Sequence, residues 1–419
     1  MGSIMANQLT ASQLVSNLGL ATLTVSSPYV MTSDRSYDID FMNSEYQTGQ
    51  VLNVRKNIQY NAYEGRITPD QDTIEDTIPI TIEPQINVPV VFNSRELALY
   101  MTKDPDKYQR RYGDPAIQAA LALLETKIGT RGKTDLNYWV GSPTAAFSDF
   151  SLVDITGSRM TELGMPMERV NMTLQSSDMS ALKASNQNAF NSTLNTEISF
   201  GSKLASFSRF DLYETANVVK QIAGSGAGNP LVSGTITNGF TVTLSGFTAN
   251  ATRVVAAGDG FTIGNINDAT GVQSMHPRTH QPTGQLMQFS VLSDVNADGS
   301  GNATVTIAAP TAGIISDTAD PRINVSQPLP NGATFNLLGA GTTYRVAYAY
   351  VSRGLALVMP PLPYVPAPEC HVAKDVEHGL SIRVVRYYDG KNDLSNGRLD
   401  LLHGERWFDQ YAMKVISRL

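Results

Sequence analysis

From Gln221 through Pro368 the chain has neither lysine nor glutamate, although both are plentiful on either side. Lys and Glu are strong helix formers, and the run is written instead in Gly, Ala, Thr, Ser, Asn and Val, with its charge carried by Asp and Arg. β-Branched residues between Gly-, Asn- and Asp-rich turns make strands and hairpins, so the run reads as a β-structured block. Mixed sequence resumes after it, which makes the block an insertion in a host domain rather than an addition to one end. Cys370 is the only cysteine, which excludes an intrachain disulfide and leaves stability to packing and assembly. The chain has no apolar run of about 18 residues that could span a membrane. The first positive charge is Arg35, so the start lacks the basic region of a secretory signal and the chain reads as cytosolic when made. A polybasic run is also missing, and a net charge of −7 argues against a nucleic-acid-binding protein.

What is present suits a folded protein of two or three units. The 419 residues exceed the size at which one core stops growing, and 42% hydrophobic with 16% charged residues is an ordinary globular balance. Residues 1 to about 47 are polar and weakly periodic, as in an extended arm ordered by contact with something else. In Val51 to Tyr63 the even positions Leu52, Val54, Ile58 and Tyr60 are apolar, with Lys56 the exception. In Thr77 to Phe92 they are Ile78, Ile80, Ile82, Ile86, Val88, Val90 and Phe92. Two period-2 runs joined by the polar stretch Glu64 to Asp76 predict a long β-hairpin. Pro79, Pro84 and Pro89 confine its second strand to an edge or an exposed arm. A lone ribbon is marginal in water, so it lies on another surface, either its own core or a neighbouring subunit.

Asp114-Pro115 opens a helix, Ile117, Leu121, Leu124 and Ile128 form its apolar stripe, and Gly129 is expected to close it. A helix over Ser151 to Leu163, a strand over Arg169 to Leu174 and a helix begun at Asp178 follow, so the host is α+β. Gly224 to Gly228 is a flexible crossing into the insertion. There Phe240 to Leu244, Gln285 to Leu292, Ala303 to Ala308 and Thr334 to Leu338 read as short strands of a small sandwich or barrel. The C-terminal stretch alternates over Leu380 to Tyr388, turns at Asp389-Gly390, and ends with Tyr411, Met413, Val415 and Leu419 on one face of a last strand.

No constellation for catalysis or metal binding assembles. Gly129-Thr130-Arg131-Gly132-Lys133-Thr134 ends like a phosphate loop, but Lys127 stands where the first glycine belongs and a helix precedes it, so a helix end with a basic loop is expected. Asp294 to Gly299 resembles the first half of a calcium loop, but Val305 replaces the bidentate acid, and the spacing suits a hairpin turn. His276 and His280 are four apart, with Pro277 and Pro282 excluding a regular helix. His371, His378 and His403 have no acidic or cysteine partner at catalytic spacing, there is no G-x-S-x-G elbow, and Cys370 beside proline-rich sequence reads as structural. Neither cofactor nor metal is expected.

An arm, a long hairpin, a spine helix, an α/β domain and terminal strands that return to the first part occur in this order in one family. The chain resembles the major capsid proteins of tailed bacteriophages, with the Hong Kong ninety-seven phage fold, and looks like the short-tailed Salmonella-phage type with an inserted β-barrel. The return segment Tyr344 to Val358, YRVAYAYVSRGLALV, carries the likeness in its alternation of aromatic, basic and small apolar residues. The resemblance implies an N-terminal arm over 1–47, an extended loop over 48–93 that reaches over a neighbour, and a peripheral domain with the spine helix over 94–134. It implies an axial domain over 135–227, the insertion over 228–343, and axial and peripheral strands over 344–419.

It also implies a non-enzymatic subunit that self-assembles into pentamers and hexamers of an icosahedral shell around double-stranded DNA, with scaffolding and portal proteins as partners, no membrane, and a place in the virion. A mildly acidic chain is consistent with a shell wall that does not adhere to packaged DNA. Arg55, Lys56, Glu64, Arg66, Asp70 and Asp72 are the candidates for intersubunit ion pairs. Ile80, Ile82 and Val88 are the hairpin positions where aspartate is expected to block assembly while sparing the monomer. Asp268 and Arg278, in the loop of 265–284 with His276 and His280, are candidates for touching a neighbouring capsomer. The alternative is a β-rich tail, fibre or adhesin protein, which would be expected to show repeats or an export signal; a hydrolase lacks an assembled site.

Overall fold

The computed structural model describes residues 27–36, 51–56, 58–66, 70–82, 84–93, 109–166, 168–187, 203–207, 209–215, 217–308, 313–366, 369–375 and 380–419. His378 and most of the arm lie outside the described residues. The chain divides into two compact units, one from Met1–Leu52, Ile80–Ile128 and Ala356–Glu405, the other from Asn53–Pro79, Gly129–Leu355 and Arg406–Leu419.

The first unit carries an antiparallel sheet in the order Glu369–Asp375, Leu380–Asp389, Leu394–Leu401, Ile86–Asn93. Ile86–Asn93 is its edge strand, which is where Pro89 can sit without removing a ladder donor from a central position. In the same unit, the helix that starts at Asp114 buries Ile117, Ala120, Leu121, Leu124 and Ile128. Those positions recur every three or four residues and so share one stripe. Of the arm, residues 27–36 are described: Pro28–Thr32 form one short helical turn with Tyr29 and Val30 fully buried, and the Ser27 hydroxyl donates to Glu125 Oε1 at 2.5 Å.

The expected hairpin is divided. Val51–Arg55 pairs with Thr77–Thr81, but Ile86–Asn93 leaves for the four-stranded sheet, where Leu401 lies opposite Ile86 and Leu394 opposite Asn93. Pro84 lies in the break between the two strands. The described residues between Lys56 and Asp76 form no strand.

The helix also departs from expectation, because it runs from Asp114 to Asp135 without stopping at Gly129. Gly129 and Gly132 are close-approach positions: a Cβ at 129 would stand 2.4 Å from Val219 Cγ2, and one at 132 would stand 2.7 Å from the Tyr348 ring. The GTRGKT stretch is therefore helix packed under an aromatic cluster, and not a loop.

The second unit is built on a seven-stranded mixed sheet. Thr343–Tyr350 is its central strand, paired from Tyr344 to Tyr350 with the last strand, Ala412–Arg418. On its other edge it pairs end to end with Val219–Ile222 and then with Val170–Gln175. Trp139–Gly141 pairs in parallel with the last strand, and Phe210–Thr215 and Lys203–Phe207 extend the far side. The helices Ser151–Glu162 and Ser176–Gln187 supply Val153, Met160, Met179 and Leu182 to a core shared with Val170, Met172, Leu212, Ala349 and Val415. One-faced alternation was expected of the last strand, but every residue from Ala412 to Ser417 is buried, because this strand is interior to the sheet.

Between Gly228 and Leu337 the same unit carries short strands in small sheets: Ala303–Thr306, Thr241–Phe247 and Gly228–Val232 in one, Gln288–Ser290, Gly260–Ile263 and Phe335–Leu337 in another. The expected strand Gln285 to Leu292 is split, since Pro282–Leu286 pairs instead with Gln273–Met275 as a two-stranded ribbon. These strands enclose their own core, centred on Phe261, whose ring lies 5.3 Å from Phe289 and 4.7 Å from Phe335. Such offset aromatic contacts supply much apolar burial from few residues. Asp298 closes the turn of the calcium-like stretch by accepting the backbone N–H groups of Ser300 and Asn302, both at 2.8 Å.

Candidate assembly surface

Two exposed segments hold most of the residues singled out in the sequence. In the first, residues 51–76, Arg55 reaches Glu75 at 3.8 Å, with both side chains exposed. Glu64, Arg66, Asp70 and Asp72 are exposed, and so are Ile58, Tyr60 and Tyr63. Lys56 differs: its backbone N–H donates to the Asp76 carbonyl at 2.9 Å, and burial lowers its ammonium from the usual value against the opposing pull of Asp409 and Asp76.

Ile80 and Ile82 are covered inside the subunit itself. Ile80 is completely buried and Ile82 nearly so within the chain's own packing, where the Cα of Gly404 approaches so closely that a Cβ there would stand 3.1 Å from Ile82 Cδ1. Aspartate at either position would damage the subunit before assembly. Val88 alone of the three keeps partial exposure.

The second segment is the loop of 265–284. Asp268 and Arg278 are both exposed. Asp268 closes a turn by accepting the Thr270 backbone N–H at 2.8 Å, and the Thr270 hydroxyl and N–H hold its carboxyl below the usual range. Arg278 donates its backbone N–H to His276 Nδ1 at 3.2 Å, and His280 turns back with φ of 50°, its N–H on the His276 carbonyl at 2.9 Å.

The stem of this ribbon is engaged inside the same unit. Arg159 of the helix Ser151–Glu162 is buried, donates to Ser274 Oγ at 3.2 Å and pairs with Glu162 at 3.2 Å. Gln285 donates to Glu162 Oε2 at 2.8 Å. Pro277 covers Gly164 so closely that a Cβ there would meet Pro277 Cγ at 2.8 Å. The exposed parts of the loop include residues 265–269, with Asp268 among them, and Arg278 with Thr279.

Beneath these surfaces lie buried charges that the sequence did not announce. Asp135 accepts from Arg131 at 3.3 Å and pairs with Arg406 at 3.1 Å; burial raises its carboxyl, and the two guanidinium groups oppose that. Asp409 accepts the Asn137 side-chain amide at 3.2 Å and is pushed up to about 6 by burial, with Lys56 the strongest opposing charge. Lys414 donates to Ser290 Oγ at 2.5 Å and to the Lys133 carbonyl at 3.3 Å, and burial lowers its ammonium to about 7. Asp259, fully buried, accepts Gln221 Nε2 at 2.7 Å and the backbone N–H groups of Gly224 and Ala256 at 2.8 Å, so it pins the crossing into the insertion. His403 proves to have an acidic partner: its Nδ1 lies 2.7 Å from Glu405 Oε2, with both side chains buried.

Residues 205–413 match the family model of the P22 coat protein, gene protein 5. This chain is a tailed-phage major capsid protein. It is the structural subunit of an icosahedral shell, its place is the virion, and its mixed architecture is the α+β phage capsid fold. No curated protein matches the capsid protein's sequence. Among solved structures it is similar to that of Mycobacterium phage Che8, at 8% identity, with 92% of this chain and 90% of that one covered and a TM-score of 0.47. It is similar to the capsid of Ralstonia phage GP4, at 9% identity, covering 100% and 94%, with a TM-score of 0.45. It is also similar to the mature capsid of bacteriophage PhiM1, at 9% identity, covering 88% and 82%, with a TM-score of 0.41.

Proposed function

We propose that this capsid protein is a non-enzymatic subunit of the short-tailed Salmonella-phage type, assembled in the host cytoplasm into pentamers and hexamers around double-stranded DNA with scaffolding and portal proteins. In this reading the extended loop of 48–93 reaches over an adjacent subunit, the spine helix and its sheet form the peripheral domain, 135–227 and 344–419 build the axial domain, and 228–343 is the inserted barrel on the outer surface. The observation that carries the reading is the stretch between Lys56 and Asp76. It has no strand partner among the described residues, yet it exposes Tyr60 and Tyr63 beside Glu64, Arg66, Asp70 and Asp72. Amphipathic aromatic residues beside charges of both signs suit a contact that buries rings and fixes register by charge.

Electron microscopy of the purified protein tests it. Closed shells with fivefold and sixfold clusters are expected, whereas rods, isolated trimers or monomers alone would favour a tail or fibre component.

A further inference from the structure

The inserted β unit holds the extended loop of its own chain. Arg322, in a turn of the insertion, stands between two carboxylates. Its Nη2 and Nε donate to Asp320 at 2.7 and 3.0 Å, and its Nη1 donates to Asp76 Oδ2 at 3.2 Å and Oδ1 at 3.4 Å. All three side chains are about a fifth to a third exposed, so the pair is screened less than one on an open surface.

Asp320 also accepts the Arg322 backbone N–H at 2.9 Å, which aims the guanidinium before Asp76 is engaged. Arg322 in turn holds the Asp320 carboxyl below its usual range, chiefly through the side-chain hydrogen bond. A second tie lies on the same turn: the Asn61 side-chain amide donates to the Ala319 carbonyl at 3.3 Å, while the Ala319 N–H is fixed on Asp317 Oδ1 at 2.9 Å. The outgoing and returning limbs of the loop are thus both touched, the first at Asn61 and the second at Asp76.

We infer that the turn Asp317–Arg322 is a clamp that positions the described residues 58–66 and 70–76 of the extended loop on the inserted unit in the free subunit. A segment with no sheet partner of its own has little to oppose its freedom, and ordering it costs backbone entropy. A planar guanidinium held by one carboxylate and offered to another is a pre-organised fastening, which a lysine would not reproduce. The insertion thereby contributes to how the loop is presented, beyond enclosing its own core. The assembly consequence rests on the shell reading, but the clamp itself does not.

Hydrogen exchange followed by mass spectrometry on the free, full-length subunit tests it. Arg322→Ala and Asp76→Asn should each raise exchange across 56–76 by about tenfold, including the Lys56 amide bonded to the Asp76 carbonyl and the Asn61 amide bonded to Gln71 Oε1. Amides around Phe261 and Phe289 should keep their protection. If Arg322→Ala also loosens the insertion core, Asp76→Asn decides, because Asp76 lies outside the inserted segment. Unchanged exchange over 56–76 in Asp76→Asn overturns the clamp. Since no shell is needed for the readout, failure of the shell reading would not mimic this result.

Discussion

The Tyr348 hydroxyl donates its proton to the Gly129 carbonyl, and the ring lies over the helix where side chains at 129 and 132 would otherwise stand. Tyr348 also packs on Trp407 with centroids 4.7 Å apart, so the central strand, the long helix and the start of the last segment meet at one aromatic cluster.

Alanine at an exposed helical glycine usually stabilises, because it restricts the unfolded chain. At Gly129 the opposite is expected: the added methyl meets Val219 at 2.4 Å, and the overpacking should cost about 1–3 kcal/mol. Urea unfolding of Gly129→Ala should show a lower midpoint than wild type; a higher one would mean that the helix has room there.

Asp409 gives the subunit an acid-side gain in stability. Its carboxyl titrates at about 6 when folded against 3.8 as the ordinary value, so between those values the folded state binds more protons than the unfolded one. Stability from this group therefore falls as pH rises from about 4 to about 6, by an amount of up to about 3 kcal/mol. Comparing wild type with Asp409→Asn at pH 7 and pH 5 isolates it, and the variant should lose most of the difference.

Lys414 works in the other direction. Its ammonium loses its proton at about 7 when folded and at 10.5 ordinarily, so the unfolded state binds more protons between these values and stability rises with pH across that window. Lys414→Met should abolish the rise between pH 7 and pH 9, measured by the same unfolding midpoints.

Ile80→Asp should destabilise the free subunit by about 3–5 kcal/mol, since it places an uncompensated charge in a completely buried site. Thermal unfolding of the monomer reads this directly. A soluble variant of wild-type stability that fails only in assembly would show instead that Ile80 faces a neighbour.

What the sequence made legible was local. The helices near 114, 151 and 178 and the strand from Leu380 follow from apolar spacing, and the change in composition at Gln221 falls in a strand of the large sheet, a few residues before a segment with its own core begins. What it hid depends on distant partners. A glycine in a helical pattern reads equally as a stop or as a contact, and only Tyr348 and Val219 distinguish the two at Gly129. The run from Thr77 to Phe92 alternates on both sides of Pro84 in one phase, yet its second half answers to Leu394–Leu401, far along the chain. Lys414 sits where alternation predicts an exposed residue, and it is buried because Ser290 and the Trp139 ring, 5.8 Å away, cover that face. His403 lies in the link between Leu394–Leu401 and Gly404–Trp407, so strand alternation alone did not announce its pairing with Glu405.

The central claim is that the segment between Lys56 and Asp76 is a contact between subunits of the shell. A cryo-electron microscopy map of the assembled particle tests it most directly. The account predicts Tyr60, Tyr63 and the charges from Glu64 to Asp72 packed against a neighbouring subunit, and a particle in which these residues contact only their own subunit or solvent would contradict it.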